Sequence, residues 1–239
     1  MTAFPEGYCL KKVREAIQND FEKERLYGSL PSVNNCTNAW TSGKGFEDIK
    51  KSVLSRGTDS RFFYNCFYRI NGAEDKLTYA NELFQLQLEL KNARRKTVIV
   101  NGEIERLTPD EIADIRRGNY AKADQLIMDL SANIKYPVNM ELQKIMHKTF
   151  VDILLAEFSK EGDNLNRLTS KAVYLLCWLK RYLPSLFSDW KMPEIGCFIH
   201  MGGCQNENEA LFLKFLARLP VDVVILCPNR NVPCQLTDP

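Results

Sequence analysis

Two apolar runs, Ile195–Met201 and Val221–Cys227, flank a stretch patterned as a helix, and this pairing constrains the fold more than any other feature of the chain. Runs without alternation suit strands buried on both faces, the condition inside a parallel sheet covered by helices. Gly202 and Gly203 end the first run. Asn206 then offers a side-chain oxygen to a helix start, and Glu209, three residues on, completes a capping-box pattern. Leu211, Phe212, Phe215, Leu216 and Leu219 recur at helical spacing until Pro220 stops the helix. The order strand, loop, helix, strand puts the loops after Met201 and Cys227 at the carboxyl edge of a sheet, where open α/β folds bind ligands.

A second unit of the same kind is expected over residues 61–101. Arg61–Ile70 (RFFYNCFYRI) has high strand propensity and ends at the turn pair Asn71-Gly72. Residues 74–93 read as a long helix, with Leu77, Ala80, Leu83, Phe84, Leu86, Leu88 and Leu90 supplying a broad buried face. Thr97–Val100 reads as a strand. Asn101-Gly102 leaves a second reading open, a type I′ hairpin pairing Val98–Val100 with Glu103–Arg106. Ahead of this unit lie a helical stripe at Leu10, Val13, Ile17 and Phe21, an irregular stretch from Gly28 to Gly45 anchored by Trp40, and a short helix Phe46–Leu54. After it, Thr108-Pro109-Asp110-Glu111 is a strong helix start. Helices are expected near 109–117, 119–132, 139–159 and 165–183, with Pro184 closing the last.

The expected fold is therefore α/β: a partly completed parallel sheet built from two strand–helix–strand units, with a large helical insertion. The divisions are an N-terminal segment 1–60, the first unit 61–108, the insertion 109–189 and the second unit 190–239 in the same sheet. Four strands followed by a polar tail (RNVPCQLTDP) suggest a sheet truncated at its C-terminus, as in a piece of a longer protein.

Charge excludes some function classes. With 32 Lys+Arg against 30 Asp+Glu, and no long block of either sign, neither nucleic acid nor a membrane surface is an expected partner. The densest basic cluster, Lys91–Lys96, reads as a solvated helix end complementing the helix dipole. No signal peptide is expected from the residues given, and none of their apolar runs approaches about 20 residues. The eight cysteines are irregularly spaced, several inside apolar runs, which suits a reducing, cytoplasmic setting.

Four separated blocks resemble the YceG-like family of bacterial proteins: Asn38-Ala39-Trp40, FFYNCFYRINGAED (62–75), VIVNGEIERLTPDEI (98–112) and residues 189–229. The resemblance covers most of the chain in order. It implies a component of the biosynthetic module of the Ter tellurite and toxic-anion stress response. It implies no particular reaction.

Site expectations come from position. His200, at the carboxyl end of a strand and followed by Gly-Gly, is the candidate catalytic acid/base; the alternative is a core histidine bonded to a backbone carbonyl. Gly202 and Gly203 are close-approach backbone; Asn206, Glu207 and Asn229 are polar contacts. Arg69 and Asn101 join the same edge if both units share one sheet. Glu207 and Glu209 in the first helical turn disfavour a bare phosphate, or simply stabilise the helix start. A thiol pair at Cys204 and Cys234 is a weaker idea, and no metal site is expected, since no tight ligand spacing occurs. The motifs name no cofactor. Two readings follow: a small-molecule enzyme or ligand-binding domain, or a non-catalytic component docking other proteins of the system through its helical block.

Overall fold

The computed structural model describes residues 31–115, 118–135, 139–161 and 164–229; the predicted stripe over 9–26, the polar tail and Cys234 lie outside them. The first half holds β1 (Asn34–Asn35), α1 (Gly45–Lys50), β2 (Phe62–Phe63), β3 (Phe67–Asn71), α2 (Lys76–Asn92) and β4 (Thr97–Asn101). Next come α3 (Pro109–Ile115), α4 (Ala123–Ser131), α5 (Met140–Glu161) and α6 (Leu165–Phe187). The last described elements are β5 (Gly196–Met201), α7 (Glu207–Ala217) and β6 (Val221–Cys227). It is an α/β fold, and it divides into two compact units, a helical one over Leu107–Lys180 and a sheet unit over Val33–Arg106 and residues 181–229.

The sheet unit carries four parallel strands in the order β3-β6-β5-β4. The second strand–helix–strand unit is thus inserted between the two strands of the first. Burial explains this order. β5 and β6 are buried almost throughout and take the centre, whereas β3 and β4 carry Arg69, Asn71, Thr97 and Asn101 and take the edges. α2 is long enough for the crossover: its 17 residues span about 25 Å, against about 14 Å for three strand spacings. The hairpin reading of Asn101-Gly102 is excluded, because β4 pairs in parallel with β5 and residues 103–106 form no strand.

Each face of the sheet has its own cover. On one, Cys197 and Ile199 of β5 and Val224 and Leu226 of β6 pack with Ile49 of α1 and with Leu83, Leu86 and Leu90 of α2. On the other, the rings of Phe198 and Phe212 lie 5.7 Å apart, with Tyr182 within 5.8 Å of both. Only one stripe of α2 is buried, contrary to the broad face expected. Leu77, Phe84 and Leu88 are exposed, because a helix presents one face to one sheet and its apolar positions run further round than that.

Three other expectations change. The aromatic run 61–70 is two strands: β2 pairs with β1, and the ladder breaks where Asn65 donates to the Ala217 and Val221 carbonyls. The helix predicted for 46–54 ends at Lys50, and a 3-10 turn covers Val53–Ser55. Pro184 does not end α6, which continues to Phe187 because Leu186 and Phe187 are buried, and that packing offsets the lost backbone bond. In the helical unit, the start expected at Thr108 forms with both halves of its capping box, Glu111 N–H to Thr108 Oγ1 at 3.2 Å and Thr108 N–H to Glu111 Oε2 at 2.8 Å.

Candidate functional site

All four strands point the same way, so their ends share one edge: Asn71 lies opposite Cys227, Leu226 opposite Met201, and Met201 opposite Asn101. Glycine amides lace the loops together there. Gly72 N–H donates to the Cys227 carbonyl at 2.7 Å, and Gly202 N–H to the Leu226 carbonyl at 2.8 Å. Gly102 N–H donates to the Met201 carbonyl at 2.6 Å. Gly202 adopts φ +111°, and a Cβ there would stand 3.3 Å from Gly102 Cα, so a side chain is disfavoured both by conformation and by space.

The loops leave this edge in different directions. After β3 the chain enters α2, which covers one face; after β5 it enters α7, which covers the other. The end of β6 lies between them. Loops departing to opposite faces open a crevice at such a switch point. Asn229 is exposed just past β6, and Arg69 reaches along β3 to donate to Asn71 Oδ1 at 3.0 Å. Asn101 is exposed at the end of β4. Gly202 and Gly203 border the same end from β5. Arg69, Asn71, Asn101, Gly202, Gly203 and Asn229 thus border one edge.

Asn206 and Glu207 serve the helix start. Asn206 Oδ1 accepts the Glu209 amide at 3.0 Å, and Glu207 is exposed in the first turn. Glu209 is fully buried and accepts two backbone amides, Gln205 N–H and Ile104 N–H, each at 2.6 Å. The carboxylate therefore ties the loop after β4 to the start of α7, one step more than the capping box seen in the sequence. Replacing Asn206 by alanine should cost about 1 kcal/mol of sheet-unit stability, measured by urea denaturation.

His200 is not where an exposed acid/base would stand. Its ring is fully buried, 4.0 Å from Glu209, and neither ring nitrogen has a hydrogen-bond partner. Burial pushes its pKa down to about 4. No hydrogen bond from Glu209 offsets this, because at 4.0 Å its carboxylate lies beyond hydrogen-bond reach of the ring. The exposed catalytic group and the carbonyl-bonded core histidine are both replaced by a neutral imidazole beneath the loop. Cys204 is likewise buried, its thiol donating to the Asn206 carbonyl at 3.4 Å. Among the described residues no group of three or more His, Cys, Asp or Glu could hold a metal ion, and no helix is long and apolar enough to cross a membrane.

A buried charge cluster at the opposite, amino-terminal edge was not anticipated. Asp222, fully buried, accepts from Arg56 at 2.9 and 2.8 Å, from the Cys66 amide at 2.8 Å, and from Arg95. Two guanidiniums hold its pKa below the usual carboxylate range despite burial. Arg56 also lies over the Trp40 ring, 4.5 Å from its centroid, and Asn38 exchanges two hydrogen bonds with the Phe67 backbone. The Asn38-Ala39-Trp40 block is therefore structural. Arg94 is exposed as a solvated helix end requires, but Arg95 is largely buried against Asp222, which corrects the reading of Lys91–Lys96. The available signal was a lone Asp in the apolar run VDVVILC.

Residues 41–238 match the family model of the YceG domain. No curated protein and no solved structure matches the chain.

Proposed function

We propose, from the premise that the chain belongs to the YceG domain family, that it is a small-ligand-binding domain of a bacterial tellurite and toxic-anion stress-response system. The ligand lies over the end of β6, between the loop at Gly72 and the loop at Gly202-Gly203. One observation carries this reading: four parallel strand ends share an edge from which the flanking loops depart to opposite faces of the sheet. Asn229 and Asn101 supply neutral hydrogen-bonding groups there, and Arg69 supplies the cation. His200 is a positioning residue in this scheme, supporting the loop from beneath. The competing reading, docking through the helical block, needs an exposed apolar face there, and among the described large hydrophobics of that block Met140 alone is exposed.

The test is a thermal-shift screen of nucleotides, sugar phosphates and oxyanions including tellurite, repeated on Asn229→Ala and Asn101→Ala. A ligand that raises the melting temperature of the unaltered chain, with the shift lost in Asn229→Ala, is the expected result. A hit that stabilises all three proteins equally would remove the site from this edge. Tellurite tolerance restored equally to a host lacking the gene by the Asn229→Ala and unaltered chains would argue against the biological role.

A further inference from the structure

A cavity of about 440 Å³ opens at the amino-terminal edge of the four-stranded sheet, where α2 ends and β4 and β5 begin. Its floor is apolar, formed by Leu90, Trp190 and Ile195, each almost fully buried. Its rim is cationic, with Lys50, Lys51, Arg94, Arg95 and Lys96 against Glu89 and Glu194. We infer that this cavity binds a small organic monoanion, an apolar or aromatic body bearing one carboxylate, sulfonate or comparable singly charged head.

Three observations select that ligand class. First, most of the rim cations are already paired. Lys50 lies 3.3 Å from Glu89, Lys51 lies 2.7 Å from buried Asp48, and Arg95 is held by Asp222. Arg94 and Lys96 are left without an ion pair among the described residues. Second, Arg94 occupies a position that favours glycine. It has φ +52° at the end of α2, where Arg95 N–H donates to the Leu90 carbonyl and Arg94 N–H to the Lys91 carbonyl, both at 2.9 Å. Those two bonds form a Schellman motif, whose left-handed residue is most often glycine. A guanidinium at the cavity rim is thus retained at a backbone cost glycine would avoid. Third, with Glu89 paired to Lys50, Glu194 is the rim carboxylate left over, and it repels a multiply charged head, which restricts the ligand to a single negative charge.

The volume falls in the usual range for small-molecule sites, and an apolar floor lowers the local dielectric, strengthening the attraction of the rim cations for the head. The anion sits between Arg94 and Lys96 with its body on Leu90, Trp190 and Ile195. This site is at the opposite sheet edge from the ligand of the proposed function, so each is tested without the other.

The probe is 1-anilinonaphthalene-8-sulfonate, followed by fluorescence on the full chain, with the uncharged N-phenyl-1-naphthylamine as its counterpart. One saturable sulfonate site per chain is expected. Arg94→Gly with Lys96→Gln should weaken it about tenfold while leaving the neutral probe unaffected. Arg94→Gly alone, which relieves the backbone, should weaken it about threefold and keeps the test open if the double variant folds poorly. Phe84→Gln, on the exposed stripe of α2, should change nothing. The inference is overturned by any of three results: no saturable binding of the sulfonate, unchanged affinity in the cavity variants, or loss of binding in Phe84→Gln.

Discussion

Asp222→Ala should destabilise the sheet unit by about 3–5 kcal/mol, because it leaves two buried guanidiniums without their carboxylate. Arg56 would keep its bonds to the Ile49, Lys51 and Tyr64 carbonyls, and Arg95 its bonds to Ile49, Ile195 and Gly196. Carbonyl dipoles do not neutralise a charge, and the Cys66 amide would also lose its acceptor. Asp222→Asn should cost less, since one oxygen can still accept from Cys66. Urea denaturation followed by fluorescence of Trp40 and Trp190 measures both. A loss below about 1 kcal/mol for the alanine variant would mean that the cluster contributes little beyond packing. Against a typical total of 5–15 kcal/mol, the expected loss is large enough to lower the folded fraction in cells.

Acid should weaken both units before their carboxylates titrate. His147 and His200 are the only histidines of the chain, both are buried, and burial lowers each from 6.5 to about 4. The sign follows from proton binding. Below pH 6.5 the unfolded chain takes up a proton that the folded chain refuses until about pH 4, so stability is full above 6.5 and falls through that window. The fall from 6.5 to about 4 corresponds to about 3 kcal/mol for each histidine, in its own unit. For His147 the Ile134 carbonyl, 3.1 Å from Nε2, opposes burial but does not cancel it. The urea midpoint should hold between pH 8 and 7 and drop between 6.5 and 4.5. His200→Met should flatten the profile reported by Trp190, and His147→Met that reported by Trp178. Midpoints that hold to pH 4.5 in the unaltered chain would show that both imidazoles reach water or a partner.

Much of the local structure was legible because its causes are local. The capping residues Thr108 and Asn206, the breaks at Gly202-Gly203 and Pro220, and the apolar strands β5 and β6 follow from side-chain chemistry within a few residues. The candidate edge was legible to the same extent, since a strand followed by glycines and a helix puts its loop at a carboxyl end. What failed were inferences that needed a partner. Pro184 looks like a stop until Leu186 and Phe187 are seen to be buried, and Leu77 looks like core until the sheet is found to meet only one stripe of α2. Arg95 belongs to a basic run in sequence and to Asp222 in space, 127 positions away.

The amino-acid order by itself determined the main helices, the strands β4, β5 and β6, and that the two central strands must be covered on both faces, because periodicity and burial are written into consecutive residues. Only the tertiary structure decided the order β3-β6-β5-β4, the depth of His200, and the pairing of Asp222 with two distant arginines. Those depend on which apolar strands win the centre of the sheet and on which charges are then left inside, a competition between segments far apart in the chain.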